Sequence, residues 1–497
     1  MMLRPRFFLL LLAASQLRGY QLPDATDRIP VFSDQLNEAP GSANFTFNAT
    51  HFAGMQKIDK ARIDAYRQIN PGFIAVQYHK SYGVDLQQNI TSATAPYWNN
   101  DCDTFYAWVG RNPGYGARES YYLHYTATAD SAHRIRHFWN NVNEYFLADL
   151  RHAGWRAYVA QETVRRCQTM GFDGAFFDAT YFPSYGYDPE NWCDSAPYNA
   201  ASIVAFGPAW NADFAMPYWG SVRRYYHSQG RDYLCIVNCD QMVTGWYSDD
   251  YLDSADGAMA EGFFTYGGTL TGADWQLSAS RIIRYLTSRD KILIAQCSPA
   301  ANDLSQRRWC IGNYLLLKNR YSYYNIASGS STAWWPEYEI DLDSFMAPPT
   351  ALSALLVSGK TALYRREYKG GIVLVNPGSV SETFALTGSY RPVAFSGGGA
   401  VSNGVTPTMN VTPGTAISGT LSVAAGEVAI LQKTAAAVPR AQPSGWRTAG
   451  QTGARAVYDI RGARVPANSE PERYGIYLRI DERGTRLMPA EIRREYE

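Results

Sequence analysis

One stretch of the sequence, residues 171–181, limits the fold of this chain more than any other. Gly171 ends a helical pattern, and the apolar run 175–177 that follows is typical of a short buried strand. Asp178 comes directly after that run, where the strand should end. In α/β barrels the active site lies at the carboxyl ends of the parallel strands, because the loops that follow the strands meet there. We therefore predict a catalytic or substrate-binding role for Asp178, whereas Asp173 is expected to be a structural turn residue.

Short apolar runs alternate with longer helical patterns from about residue 40 to residue 330, as in parallel α/β folds. Eight of these runs are predicted to be strands: 45–52, 73–79, 145–150, 175–178, 233–238, 257–264, 291–296 and 321–326. Eight strands in this order favour a closed (β/α)8 TIM barrel over residues 40–350. An open doubly wound sheet is the rival fold, but no Gly-x-Gly-x-x-Gly motif follows the first predicted strand.

The sequence changes character after the predicted barrel. With 497 residues the chain is too long for a single core, so we expect two or three domains. Residues 360–433 contain short strand patterns separated by Gly, Pro and Ser, which is typical of a small all-β sandwich. An Ala- and Pro-rich linker at 434–450 and a short β module at 451–497 are predicted to follow.

The N-terminus has the pattern of a signal peptide over residues 1–19. Two basic residues, Arg4 and Arg6, precede the apolar run 7–12 and the small residues 13–15. No other apolar run is long enough to span a bilayer. We therefore expect a secreted or cell-surface protein that is periplasmic in transit and has no membrane span.

The composition points to a carbohydrate partner and away from nucleic acid. Lys plus Arg and Asp plus Glu both number 45, so the chain shows no excess of basic residues that would bind nucleic acid. Aromatic residues make up 14% of the chain and include 36 Tyr and 13 Trp. Their flat faces stack on sugar rings, which fits carbohydrate binding, although aromatic content of this kind is equally typical of large secreted barrels.

The cysteines indicate neither a metal site nor a cofactor, and we expect none. Seven cysteines are present, and no spacing among them resembles a zinc site. Cys102 and Cys193 are a plausible disulfide pair in an exported protein. Four others lie in strand-like or helix-like segments and are predicted to be buried thiols: Cys235, Cys239, Cys297 and Cys310.

Four segments of the sequence resemble a known group of enzymes: 148–158, 171–178, 256–263 and 336–342. They are similar to secreted glycoside hydrolases with a TIM barrel and a C-terminal β-sandwich. More narrowly, they resemble the hypothetical glycoside hydrolase group that is related to endo-polygalactosaminidase-like barrels. The resemblance covers roughly residues 60–433, and it implies an Asp at the end of the third strand (Asp149) and a Glu at the end of the sixth (Glu261).

The C-terminal block resembles a different kind of domain. Residues 457–465 and 474–479 are similar to type IX secretion sorting domains. The resemblance implies contact with a secretion machinery. Those domains usually end soon after a short basic strand, whereas this chain continues to Glu497, so a plain accessory β module is the alternative.

Hydrolysis of a glycosidic bond needs one carboxylic acid to protonate the leaving oxygen and one carboxylate to attack or to activate water. Because the ends of strands four and six can converge over a barrel mouth, we predict that Asp178 and Glu261 form this pair. Ala260 and Gly262 flank Glu261 in an apolar run, so partial desolvation should raise its pKa. Glu261 is assigned as general acid/base and Asp178 as nucleophile or base. A structural carboxylate is the alternative for Glu261.

The same geometry gives a set of predicted substrate-binding residues at strand ends or in the loops after them: Asp149, Asn238, Asp240, Tyr78, His79, Gln296 and Tyr181. Asp149 fits a salt bridge to Arg151 or Arg156 equally well, and His79 fits a structural histidine. Two other functions stay open. The chain could be a non-catalytic carbohydrate-binding barrel, or a polysaccharide lyase with a Tyr, His or Lys base.

Overall fold

The structure, a computed structural model, describes a defined set of ranges: 22–85, 97–100, 102–124, 130–139, 142–178, 216–229, 233–239, 242, 252–265, 268–434, 456–458, 464–465, 477–481 and 484–488. The chain divides into two compact units, with the boundary between Pro439 and Arg440. None of the helices within these ranges is long and apolar enough to cross a bilayer.

Eight parallel strands form a closed barrel. In chain order they are β1 Val31–Ser33, β2 Phe52–Met55, β3 Ile74–Asp85, β4 Gly174–Asp178, β5 Leu234–Asn238, β6 Gly257–Glu261, β7 Ile292–Cys297 and β8 Ser322–Ile326. Each strand pairs in parallel with the next one along the chain. The ring closes where Val31 of β1 pairs with Tyr324 of β8. The predicted TIM barrel is therefore confirmed.

Helices cover the outside of this barrel between the strands, as the alternating pattern predicts. They are α1 Ala43–His51, α2 Lys60–Ile69, α3 Cys102–Arg111, α4 Ala153–Met170, α5 Met216–Ser228, α6 Gly272–Tyr285 and α7 Leu304–Leu317. Asp59 and Asp303 begin α2 and α7 by accepting hydrogen bonds from backbone N–H groups of the first turn. Gly171 ends α4 in the left-handed conformation, with φ of 86°, which only glycine adopts without strain.

The predicted start of the barrel is wrong. Residues 45–52 were predicted to be the first strand, but most of them belong to α1. Ser42 begins this helix by accepting a hydrogen bond from the N–H group of Phe45, a capping signal that competes with the strand-like alternation of Phe45 and Phe47. The first strand is instead β1, which lies before residue 40 and is only three residues long.

The predicted third strand is also wrong. Residues 142–147 form a strand outside the barrel that pairs antiparallel with Arg136–Trp139 and with the last residues of β3. They belong to an excursion between β3 and α4, which we define as residues 97–152. The third barrel strand is the one predicted to be second, so Asp149 does not stand at the end of a barrel strand.

A six-stranded antiparallel sheet follows the barrel, in the region where the sequence predicts a small all-β sandwich. Its strands are β9 Tyr364–Glu367, β10 Gly371–Asn376, β11 Glu382–Gly397, β12 Met409–Pro413, β13 Ile417–Val423 and β14 Glu427–Lys433. Alternate residues of β10 serve two cores, because Val373 and Val375 join the core of the barrel, whereas Ile372 and Leu374 pack within the sheet. Gly312 of α7 lies so close to β14 that a Cβ there would approach Val428 to 2.3 Å.

The second unit contains a small antiparallel sheet, which agrees with the predicted β module. Its four strands are Ala456–Tyr458, Arg464–Val465, Tyr477–Asp481 and Gly484–Met488. The predicted signal peptide and the predicted partner Cys193 lie outside the described residues. Cys235, Cys239, Cys297 and Cys310 are buried cysteines, as predicted.

Candidate active site

Seven strands of the barrel carry a polar side chain at or next to the carboxyl end, and β3, which continues past the end of β4 to Asp85, carries Tyr78 level with Phe176 of β4. In strand order these residues are Asp34, Gln56 and Lys57, Tyr78, Asp178, Asn238, Glu261, Gln296 and Asn325. Because all eight strands are parallel, these ends lie on the same rim of the barrel. We call this set of residues the barrel mouth.

Asn238 joins the two carboxyl groups that the sequence predicts as a pair. Its side-chain Nδ2 donates to Oδ1 of Asp178 at 2.9 Å and to Oε2 of Glu261 at 2.6 Å. The two acceptor oxygens are therefore at most about 5.5 Å apart, because both are bound to the same nitrogen. Both acids are partly buried. The structure thus brings Asp178 and Glu261, which are distant in sequence, into one site.

Tyr78 binds Asp178 at the second oxygen of its carboxylate. Its hydroxyl donates a hydrogen bond to Oδ2 of Asp178, so the two oxygens of this carboxylate are bound by different donors. Burial, and next the negative charge of Asp178, raise the pKa of the Tyr78 phenol well above its usual value. The phenol therefore stays protonated and keeps donating across the neutral pH range.

The other flank of the pair is formed by two amides. Gln296 of β7 lies next to Glu261 in the strand register, and Nδ2 of Asn325 donates to Oε1 of Gln296 at 3.2 Å. Both amide residues are buried. Gln296 was predicted from the sequence, whereas Asn325 was missed, although it occupies the same position on β8 as Gln296 does on β7.

A second group of mouth residues was also missed. Oδ1 of Asp34 accepts from Nε2 of Gln56 at 2.5 Å, and Oδ2 accepts from Nζ of Lys57 at 2.7 Å. The Lys57 ammonium lies 4.8 Å from the ring centroid of Tyr78. The one signal for these residues is that they follow short apolar runs, and β1 and β2 are too short to show a clear strand pattern.

Two of the predicted substrate-binding residues are placed differently from expectation. Asp149 lies in the excursion, where its two carboxylate oxygens bind Arg151 at 2.9 Å each. This is the salt bridge that was the alternative for Asp149. His79 is fully buried and packs edge-on against Phe177. Side chains alternate along a strand, so His79 points away from the face that carries Tyr78, as a structural histidine would.

The remaining predicted positions can be placed only in part. Asp240 and Tyr181 lie outside the described residues. Asp173 binds Arg67 at 2.7 Å and the N–H group of Ala75 at 2.9 Å, so it has the structural role expected for it. Within the described ranges, no three His, Cys, Asp or Glu side chains are grouped so that they could hold a metal ion.

The fold and the mouth together define a TIM-barrel enzyme with two neighbouring acids at the carboxyl ends of its strands. Residues 67–372 match the model of hypothetical glycosyl hydrolase family 15. This match covers more than half of the sequence, and the chain belongs to that family. The protein is therefore a glycoside hydrolase. A search of curated proteins finds no match.

Solved structures of carbohydrate enzymes are similar at low sequence identity. A cycloisomaltooligosaccharide glucanotransferase from Paenibacillus sp. is 11% identical with a TM-score of 0.34, and the match covers 81% of this chain and 57% of that one. An alpha-amylase from Malbranchea cinnamomea is 10% identical with a TM-score of 0.38, covering 83% and 96%. The trehalulose synthase MutB from Pseudomonas mesoacidophila is 8% identical with a TM-score of 0.43, covering 81% and 98%.

Proposed function

We propose that this glycoside hydrolase cleaves the glycosidic bonds of an oligo- or polysaccharide, with Asp178 and Glu261 as its two catalytic carboxyl groups. One observation carries the proposal: a single amide nitrogen of Asn238 binds both acids, at 2.9 and 2.6 Å. Glycoside hydrolysis requires two carboxyl groups that face each other across the scissile bond, and these two meet at the rim where barrel enzymes carry out their chemistry.

The surroundings of the two acids favour different roles. Asp178 accepts one hydrogen bond at each oxygen, from Tyr78 and from Asn238. Such donors stabilise the charged form of a carboxylate, which suits a nucleophile. The negative charge of Asp178 in turn favours a proton on Glu261, because two close carboxylates do not readily ionise together. Glu261 is then the general acid in the first step.

The spacing of the two acids supports a retaining mechanism. Retaining glycosidases place their carboxyl groups about 5–5.5 Å apart, and inverting ones about 6.5–9.5 Å apart. The facing oxygens of Asp178 and Glu261 are at most about 5.5 Å apart, which is shorter than the inverting separation. Glu261 gives its proton to the leaving oxygen while an Asp178 oxygen attacks the anomeric carbon, which forms a glycosyl ester. Water then loses a proton to Glu261, attacks the same carbon and releases Asp178.

Two observations favour hydrolysis over the alternatives. A lyase needs a base, and Tyr78 is a poor one because its pKa is raised and its proton is held by Asp178. A non-catalytic binding barrel would not require its acid pair to be kept together, whereas here the pair shares the amide of Asn238. The relation to endo-polygalactosaminidase-like barrels stays a prediction.

The test is a glycan panel of amylose, cellulose, xylan, mannan, galactan and chitosan. We expect the wild-type protein to release reducing ends from at least one of them. Asp178→Asn and Glu261→Gln should each lower kcat about 10³-fold or more while leaving the melting temperature unchanged. Asp149→Asn is the matched control, because Asp149 is a carboxylate bound to Arg151 in the excursion. Activity that survives both substitutions would remove the assignment.

Stereochemistry is tested separately on the glycan that is cleaved. Proton NMR of the first product should show the same anomeric configuration as the substrate. Product with the opposite configuration would overturn the retaining mechanism and leave hydrolysis by the acid pair intact.

We further propose that the protein is exported through its N-terminal segment, residues 1–19, and sorted through the unit that begins at Arg440. The basic, apolar and small-residue pattern of the N-terminus supports export. The separate antiparallel sheet of the second unit supports a docking module. Removal of residues 451–497 should leave active protein in the periplasm, as measured by fractionation. Unchanged export after this truncation would contradict the sorting role.

A further inference from the structure

Asp34 and Lys57 form an ion pair that lies in the barrel mouth but is not needed for the chemistry assigned to Asp178 and Glu261. Asp34 follows β1, and Lys57 follows β2. Their side chains are 29% and 20% exposed, and Nζ of Lys57 lies 2.7 Å from Oδ2 of Asp34. Both charges are therefore held in place and are still accessible from solvent.

The pair is connected to the candidate nucleophile through one side chain. The Lys57 ammonium lies 4.8 Å from the centroid of the Tyr78 ring, and the Tyr78 hydroxyl binds Asp178. The negative charge of Asp34 also acts on this hydroxyl. The Tyr78 side chain thus contacts the pair through its ring and Asp178 through its hydroxyl, so both groups lie around one side chain of the mouth.

The backbone at Lys57 indicates that its side chain is required. Its φ is 54°, in the left-handed region where glycine is the favoured residue. Residues held in this region are strained and cluster at active sites and ligand clamps. Glycine would relieve this strain, so a lysine at this position fits a binding role for its ammonium group.

The residue that holds Asp34 in place, Gln56, also indicates a binding role for the pair. Gln56 is 1% exposed and donates to Oδ1 of Asp34 at 2.5 Å. Its own carbonyl Oε1 is buried and finds no hydrogen-bond partner among the residues that the structure describes. A buried amide that fixes a partly exposed carboxylate is typical of a binding group that is held in advance of its ligand.

We propose that Asp34 and Lys57 bind neighbouring hydroxyl groups of the sugar unit whose anomeric carbon reacts at Asp178. A carboxylate accepts hydrogen bonds from two adjacent hydroxyl groups, and an ammonium group donates to their oxygens. The ligand is thus a neutral sugar with a free vicinal diol on the side away from the scissile bond. This inference rests on the proposed function and adds the two residues that recognise the sugar.

The experiment uses Lys57→Met and Asp34→Asn in the full chain, with the glycan of the panel that the wild-type protein cleaves fastest. We expect kcat/KM to fall about tenfold to hundredfold in each variant, since each variant loses a hydrogen bond between a charged group and a sugar hydroxyl. Inhibition by the released monosaccharide should weaken by a similar factor, with an unchanged melting temperature. Lys57→Arg keeps the charge and should retain more of both.

Lys60→Met is the matched control, because Lys60 pairs with Asp64 at 2.8 Å on the exposed face of α2. It should leave kinetics and product inhibition unchanged. Unchanged product inhibition in both Lys57→Met and Asp34→Asn would overturn the inference and leave the proposed function standing, whether or not the melting temperature falls. No cleavage of any panel glycan by the wild-type protein would overturn the proposed function and this inference together.

Discussion

The barrel mouth and the junction between barrel and sheet use the same chemical groups in opposite ways. At the junction, Arg307 of α7 forms two parallel hydrogen bonds to Glu337, at 2.7 and 2.6 Å, and both side chains are almost fully buried. The same guanidinium also donates to the carbonyl groups of Ala301 and Gly397. The junction pair therefore has its bonds within the protein.

The mouth differs because its charged groups, although bound by the protein, stay partly exposed. Asp178, Glu261, Asp34 and Lys57 all show this pattern. The comparison shows that burial decides how an ion pair or acid pair is used. A fully buried pair holds the barrel and the sheet together, whereas a partly exposed pair is available to a ligand. Substitutions should therefore lower stability in one region and activity in the other.

The largest effect is expected at the junction. Glu337→Gln leaves the Arg307 guanidinium buried without its counter-charge, which costs about 3–5 kcal/mol of unfolding free energy. Urea denaturation followed by circular dichroism measures this loss. Glu367→Gln, which affects a pair with Arg365 at 3.2 Å whose side chains are 52% and 40% exposed, is the control and should change little. Equal losses in both variants would break the distinction between buried and open pairs.

A loss of activity without a loss of stability is expected next, at the mouth. Asn238→Ala removes the donor that both acids share, and we expect kcat to fall about 10²–10³-fold, as for other donors that organise a charged site. Steady-state kinetics on the cleaved glycan measures this effect. Gln276→Ala, at an exposed position of α6, is the control. Wild-type kcat in Asn238→Ala would contradict the role of the bridge.

A smaller effect is expected where α7 contacts β14. Gly312→Ala places a Cβ 2.3 Å from the Val428 side chain, so that side chain, the sheet or the helix must shift. Overpacking of this kind costs about 1–3 kcal/mol. Double substitution with Val428→Ala should recover part of that loss, as measured by thermal denaturation. If Val428→Ala does not restore any of the stability lost in Gly312→Ala, α7 and β14 are less tightly packed than the structure indicates.

The smallest effect is expected at Tyr78. Tyr78→Phe removes one of the two hydrogen bonds that the Asp178 carboxylate accepts from Tyr78 and Asn238, and we expect kcat/KM to fall about tenfold. Steady-state kinetics on the cleaved glycan measures this effect. Tyr66→Phe, at another buried phenol between α1 and α2, should leave kcat/KM unchanged. Wild-type kcat/KM in Tyr78→Phe would contradict the assigned role of Tyr78.

The sequence predicts the second half of the barrel well. β4 to β7 are buried runs of mostly apolar residues with a polar residue at or next to the end, and this pattern also located Asp178, Asn238, Glu261 and Gln296. The signal is strong because a parallel strand is covered on both faces, so the first polar side chain marks the end of the apolar run.

The first part of the barrel could not be predicted in the same way. β1 has only three residues, and its apolar content does not differ from that of a loop. Residues 142–147 have the composition of a barrel strand but pair antiparallel with the end of β3, a partner that local sequence does not specify. Asp34, Gln56 and Lys57 were missed with the strands that position them.

The close approach of α7 to β14 has a consequence for how this enzyme can vary. With no side chain at Gly312, the last barrel helix is shaped for one particular sheet. A recombination event that exchanged residues 360–433 for a foreign module would join two surfaces that do not match. A barrel truncated before residue 360 would lose the sheet residues, such as Val373, that cover part of its core. Its apolar surface would then be exposed to water, and the protein would tend to aggregate. The two parts are therefore expected to be inherited as one piece.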